Sequence, residues 1–558
     1  MHSCKKINAV LSALLLALLP ALLAACKDKT EISKAHVLLS TVSPISADTA
    51  VTVPTAYSPQ SSTDIDTYII LNNENTTING EGAAFENSVL SISKGGSYSI
   101  KGKLSNGRIE VDPTEPNEKV TLYLSGVSVN SPDGAALFLS SSVRDAKLVL
   151  TESTWNDFSD YAAAYQSGNE DESDFFPAAI YSKSSLTVSG EGSLSVNASH
   201  GKGIFSSNDL SIEGGSLSIE SADDAVCGKN GLVVSGGSLS VVSGGNGLCT
   251  GDSDFGEGAL VVSGGSLKIE SRLDCIKSAS GITVSGGSFD LTSDGGSTGK
   301  ANKSSAEAQT QSSLPGIKAR IGEQRNKTID AELAAVSAEK ALVISGGEFA
   351  VNSSFDAFVC GGRLVMTGGN LDVKTDRTAF FSPISFTLSG GNIKTDYCLE
   401  GIEAKLSRIT GGSIYINAQS FGLDPDMAVS QSGGTVVSLS ASGGETGRGI
   451  YTVTGGTVFA AGSIPQRKVT VARSAELSSS AKAAANILLA VTDERGKALF
   501  CLKMPRKCEG FWFSSPELTK GKSYNVYSGG LNTGVQKNGI YQGSSYTPGN
   551  LQQTVTAR

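Results

Sequence analysis

A short alternating run, a Gly-Gly pair and a second alternating run recur ten times in this chain, as in LSIEGGSLSIE, LVVSGGSLSVV, LVVSGGSLKIE and LVMTGGNLDVK. The first glycines stand at 214, 236, 264, 286, 346, 368, 390, 411, 433 and 455. The unit is therefore about 22 residues, with extra residues in gaps of 28 and 60. Period-2 alternation on both sides of a glycine corner, at a fixed spacing in this range, predicts a stacked β-solenoid and not a closed globule.

The columns between repeats support the same conclusion. Four residues before each first glycine stand Leu210, Leu232, Leu260, Ile282, Leu342, Leu364 and Phe386. Beyond the corner, Leu217, Leu239, Leu267, Phe289, Phe349, Leu371 and Ile393 form a second apolar column, and Val226, Leu248, Ile276, Phe358, Phe380, Ile402 and Leu423 a third. Each coil thus offers about three short strands whose inward side chains stack roughly 4.8 Å above those of the coil below. A lone coil cannot bury its apolar side, so stability comes from stacking and the ends need capping. Charged residues are only 18% of the chain and glycine is 65 of 558, a mixture suited to short strands and tight turns.

At the N-terminus, Lys5 and Lys6 precede an apolar stretch that ends in Leu23-Ala24-Ala25-Cys26. This resembles a bacterial lipoprotein signal, which implies cleavage before Cys26, lipidation of that cysteine and attachment to a membrane leaflet without spanning it. The domain reading is then a signal over 1–25 and a Ser/Thr/Pro-rich tether over 26–63. An N-terminal β region or cap follows over 64–180, a solenoid over 181–463 with insertions at 297–314 and 321–340, and a C-terminal β cap over 464–558. The second insertion carries some helical periodicity. Cys227 and Cys249, in the same position of adjacent coils, would be a bridge or two small buried residues, with burial favoured. Cys501 and Cys508, flanking a short turn, are the more plausible disulfide.

The turns carry an acidic column. Asp224, Asn246 and Asp274 stand at one position of successive coils, with Asp223 beside the first and with Asp252 and Asp254 in a neighbouring insertion. Stacked like charges repel unless a cation lies between them, and Ca²⁺ takes six to eight oxygens from such groups, so these six residues are the candidate calcium ligands. Asp356 and Glu400 continue the column, and there the reading is solvated turn residues. Net charge of −9 argues against nucleic acid as a partner. Of three histidines only His200 falls in the solenoid, which gives no sign of a histidine-based catalytic or metal site.

The run AAIYSKSSLTVSGEGSLSV, then HGKGIFSSNDLSIEGGSLSIESADDAVCGKNGLVVSGGSLSV, and near the end SSPELTKGKSYNVYSGG, resemble a bacterial carbohydrate-binding β-helix family similar in fold to calcium-dependent pectate lyases. The resemblance spans roughly Asp66 to Tyr546. It implies an all-β, right-handed parallel β-helix at the cell surface or outer membrane, with Ca²⁺ in the coil turns and polysaccharides such as cellulose or polygalacturonate as partners. Where relatives repeat Asp-Asp-Gly/Ala-Ile, this chain has Gly245-Asn246-Gly247-Leu248 and Arg272-Leu273-Asp274-Cys275, which implies fewer metal turns. The leading functional expectation is a non-catalytic binder with no catalytic residue. Sugar faces would stack on aromatics such as Trp155, Phe158, Tyr161, Phe175, Phe176 and Tyr181. A calcium-dependent polysaccharide lyase is the alternative, with Lys202, Lys229, Lys277 or Lys318 as base. A structural or adhesive surface protein is the third reading.

Overall fold

The Gly-Gly pairs are corners, and each of the two glycines is needed for its own reason. Gly237 has φ +83°, a left-handed conformation that a side chain makes costly, and Gly265 has φ +91°. The first glycine of each pair has an ordinary φ but no room: a Cβ on Gly236 would lie 2.5 Å from the Glu213 carbonyl oxygen of the coil below. Gly237→Ala is expected to lower the unfolding free energy by about 2 kcal/mol in urea denaturation, the cost of holding an L residue at that φ. A loss under about 0.5 kcal/mol would mean the corner relaxes.

A computed structural model of the chain describes residues 65–132, 134–160, 178–251, 258–300, 333–441, 449–462, 469–471, 474–542 and 545–558. The chain divides into residues 1–62 and 63–558, and the first unit lies outside the described residues. Cys26, the signal and the whole tether therefore fall outside them, as do Asp252, Asp254, Tyr161, Phe175, Phe176 and Lys318.

The described residues form no helix. A 42-stranded, mostly parallel sheet runs through the second unit, and a six-stranded antiparallel sheet is built from residues 488–556. Strands pair coil to coil in register: Leu210, Leu232, Leu260, Ile282, Leu342 and Leu364 lie opposite one another in turn. So do Leu217, Leu239, Leu267, Phe289, Phe349 and Leu371. Nearly all of these side chains are fully buried, and each column is a continuous apolar stack. Parallel pairing also runs through the earlier segment, where Thr67–Leu71, Gly96–Leu104, Glu118–Ser131 and Trp155–Asp160 stack successively.

Antiparallel elements stand at both ends of this stack. Thr67–Leu71 pairs with Thr77–Asn79, and Ala83–Glu86 with Val89–Ile92. At the other end Gly510–Ser514 runs antiparallel to Thr457–Gly462 and to Glu476–Ser479.

Two expectations are corrected. The helical periodicity read into 321–340 does not hold at its end, because Ala334–Ala338 is a coil strand whose Val336 fills the inward column between Ile276 and Phe358. Alanine-rich sequence leaves the choice of helix or strand open, and the vacant third edge of the coil decides it. The cysteine pairing is also reversed. Cys227 and Cys249 form a disulfide with Cα atoms 4.6 Å apart, because they face each other directly on adjacent strands. Cys501 and Cys508 are free buried thiols that pack in different clusters, Cys501 with Ala490 and Tyr546, Cys508 with Met504 and Phe511.

Candidate functional site

The acidic corner is positioned by a column of buried hydroxyls. Ser221, Ser243 and Ser271 sit in register, and each donates its hydroxyl to a carbonyl two residues on, at Asp223, Gly245 and Leu273. These bonds fix the turn and bring Asp224, Asn246 and Asp274 one above another. The side chains then cap the backbone of the next coil. Asp224 Oδ1 accepts from the Asn246 amide nitrogens of both backbone and side chain, each at 2.8 Å. Asn246 Oδ1 accepts from the Asp274 N–H at 3.2 Å, and Asp274 Oδ1 from the Ala334 N–H at 2.8 Å. Asp356 repeats the pattern, accepting from the Thr378 N–H at 2.8 Å.

A cation already stands between the first two carboxylates. The Lys202 ammonium donates to Asp223 Oδ2 at 3.1 Å and to Asp224 Oδ2. Burial works to depress its pKa, and the Asp224 and Asp223 carboxylates outweigh it, so the amine titrates above the usual lysine range. That rules Lys202 poorly suited to the role of neutral base. The fit to Ca²⁺ follows from the same geometry: both Asp224 oxygens and Asn246 Oδ1 are engaged, and an ion would have to displace Lys202 to reach Asp223 and Asp224 together. Burial pushes the Asp274 carboxyl up to about 6, against the Ala334 N–H and Lys277, which pull it down.

One residue beyond the third inward column, the chain presents an outward column. Phe138, Tyr181, Phe205, Cys227, Cys249, Lys277, Ser337, Val359, Phe381, Glu403 and Asp424 lie opposite one another from coil to coil. Phe138, Tyr181 and Phe205, which follow Glu110 in the stack, are partly exposed aromatic rings. Tyr181 stacks on Phe205 with centroids 5.6 Å apart and planes within 6°, and on Phe138 at 5.6 Å in a tilted arrangement. The Lys183 ammonium lies 5.6 Å above the Phe138 ring centre. The disulfide continues the column, and the Asp224 carboxylate lies within 4.8 Å of both its sulfurs, so acidic corner and aromatic face are neighbours.

Only part of this site was visible in the sequence. Of the aromatic candidates, Tyr181 belongs to the ladder, Phe158 is wholly buried, and Trp155 stands exposed at 62% on another strand. Phe138 and Phe205 were missed. Their signal is a ring one position after an inward residue, Leu137 and Ile204, at matching register. Among the lysines, Lys277 is in the outward column beside Cys249, and Lys229 lies just after the strand Val226–Gly228 that carries Cys227.

The far end of the column is acidic. Glu403 lies between Phe381 and Asp424 in the stack, and burial, then Glu400, Asp424, Asp356 and Asp426, push its carboxyl up to about 7. Glu400 is raised too, by burial and Asp424, while its hydrogen bond with Glu403 and the Arg377 charge oppose this. A carboxyl raised in the folded state costs nothing where both states are protonated and its full penalty above the folded pKa. Stability is therefore lost as pH rises from about 4.5 through about 7. Glu403→Gln is expected to raise stability at pH 8 by about 1 kcal/mol, after discounting for partial exposure, and to leave it unchanged near pH 4. Thermal melts at the two pH values check this, and equal shifts at both would remove the charge explanation.

The described residues thus form a mostly parallel, solenoid-like β stack that carries partly exposed, stacked rings in one outward column. Residues 86–379, more than half of the chain, match the family model described as carbohydrate-binding domain-containing protein, and the chain belongs to that family. A carbohydrate-binding domain-containing protein of Acetivibrio thermocellus is 32% identical over 160 residues, which cover 28% of this chain and 54% of the relative. The chain thus spans about half the length of that curated relative. A solved structure described as a polysaccharide lyase-like protein from C. thermocellum, in a gadolinium derivative, is 26% identical. It covers 40% of this chain and 90% of its own, with a TM-score of 0.37.

Proposed function

We propose that the protein holds a polysaccharide against the outward face of its solenoid without cleaving it. The observation that carries this reading is the ladder of Phe138, Tyr181 and Phe205, partly exposed and repeated coil by coil. The C–H face of a pyranose ring stacks on such surfaces, and successive rings suit successive sugars of an extended polymer. Cellulose-like and polygalacturonate-like polymers are the ligands to try first. Right-handed winding, terminal β caps, export, and lipid anchoring at Cys26 on the cell surface or outer membrane belong to the same proposal.

The test is retention of the purified protein on insoluble cellulose and on polygalacturonate, with ultraviolet absorbance followed for unsaturated products. Retention with flat absorbance supports the binder. Rising absorbance abolished by Lys277→Ala would make the protein a lyase and overturn the reading, and no retention on either polymer would leave a structural role in front.

Calcium enters the proposal at the acidic corner, in competition with Lys202, with Asp223, Asp224, Asn246, Asp274, Asp252 and Asp254 as the ligand set. Lys202→Met is expected to cost about 2 kcal/mol of stability in chelator, because it leaves two carboxylates without their counter-charge. Millimolar Ca²⁺ should recover most of that loss while moving the wild-type protein less. Unfolding curves with and without Ca²⁺ decide it: no recovery in the variant removes calcium from the reading.

A further inference from the structure

Beyond the segment that matches the family, the last coils and the six-stranded antiparallel sheet enclose a cleft of about 580 Å³. One wall is a polar column: Asn392, Ser413, Thr435 and Thr457 lie opposite one another on successive coils, all partly exposed. The facing wall comes from the antiparallel sheet, which contributes the partly exposed Tyr541 and the buried Phe500, whose ring stacks on Phe459. The two walls differ in chemistry. The Thr435 and Thr457 hydroxyls rotate to donate or accept, as does each hydroxyl of a sugar, Ser413 donates to Asn392 Oδ1 at 2.6 Å and keeps its acceptor side, and the Tyr541 ring suits a sugar's apolar side. Lys497 and Glu517, which also line the cleft, are joined to each other at 2.9 Å, and the remaining charged residue, Lys537, is exposed. The cleft's volume is within the range of small-molecule sites and too small for a wrapped polymer.

We infer that this cleft is a second carbohydrate site, which takes a neutral mono- or disaccharide or the end of a neutral chain. It differs from the aromatic ladder in shape and in location: the ladder is an open face on early coils, built from residues 138–205, and the cleft is built from residues 392–542. The two sites share no residue, so the inference stands whether or not the ladder binds polymer.

The experiment is saturation-transfer NMR and titration calorimetry on the full chain, with cellobiose as the neutral probe and digalacturonate as the acidic one. Cellobiose is expected to bind, and Tyr541→Ala and Thr435→Val, one from each wall, should each weaken it tenfold or more. Tyr181→Ala should leave it within twofold, which separates this site from the ladder. Two variants on different elements guard against local misfolding, and each is checked for an unchanged melting temperature. No transfer to cellobiose in the wild-type protein, or binding that survives both variants, overturns the site. Digalacturonate binding tenfold tighter than cellobiose overturns the neutral class.

Discussion

Replacing Tyr181 and Phe205 together with alanine is expected to weaken binding to the retained polymer about 100-fold, since each sugar-facing ring contributes on the order of 1.4 kcal/mol, a factor of ten. Both rings point outward from strands whose backbone pairing is unaffected by side-chain truncation, Ala178–Ser182 and Lys202–Ser206. They also stack on each other, so the single variants will not add to the double: removing one ring unseats the other. Trp155→Ala is the control. That ring is exposed at 62% and lies in a different column, opposite Ser193, so its loss should change affinity less than twofold. A binding isotherm on the polymer measures the four variants and the wild type. If the double variant binds as the wild type does, the ladder is not the sugar face and the proposal has to move elsewhere on the surface.

The second large effect is in the core. Phe358→Ala is expected to lower the unfolding free energy by about 4 kcal/mol, the transfer term of a phenyl group plus the cavity it leaves. Phe358 is wholly buried, stacked on Phe380 at 5.0 Å with planes within 4°, and meets Phe349 edge-on at 6.0 Å. Rings in register on parallel strands cannot collapse into the gap, because each is held by its own coil's backbone pairing. A solenoid couples each coil mainly to its neighbours, so the damage should be local: protease cleavage near the coils of Phe358 and Phe380 should precede global unfolding. Urea denaturation with limited proteolysis checks both statements. A loss below about 1 kcal/mol would mean that the aromatic column repacks.

The pH response expected at Glu403 and the calcium response proposed for the Lys202→Met variant turn on the same physical quantity, carboxylate charge and what compensates it. At the first acidic corner Lys202 supplies the compensation, whereas around Glu403 the counter-charge is Arg377 against Asp356, Glu400, Asp424 and Asp426. The sequence reading gave weight to the first group and treated Asp356 and Glu400 as solvated. In the second group Glu400 and Glu403 are pushed upward by burial first and then by neighbouring carboxylates, among them Asp424, which meets Glu403 through the strand register.

The sequence by itself determined the coil. Its period, its glycine corners and its three inward columns are short-range patterns, and each is dictated by what a stacked coil must do: turn without a side chain, and bury the same face every 22 residues or so. Leu210, Leu217 and Val226 could be placed inward from spacing alone for that reason. The tertiary structure decided what faces outward and what meets what. Outward positions need no particular residue type, so Phe138, Tyr181 and Phe205 leave no period to read, and their uneven spacing reflects coils of different length. Lys202 reaches Asp223 and Asp224 from the preceding coil, Cys227 meets Cys249 through register, and the C-terminal cleft exists only because a separate antiparallel sheet folds against the last coils. The period alone placed Cys227 and Cys249 on adjacent coils and packing decided that they bond, whereas the cleft joins segments far apart in the chain, and no local pattern of residues encodes it.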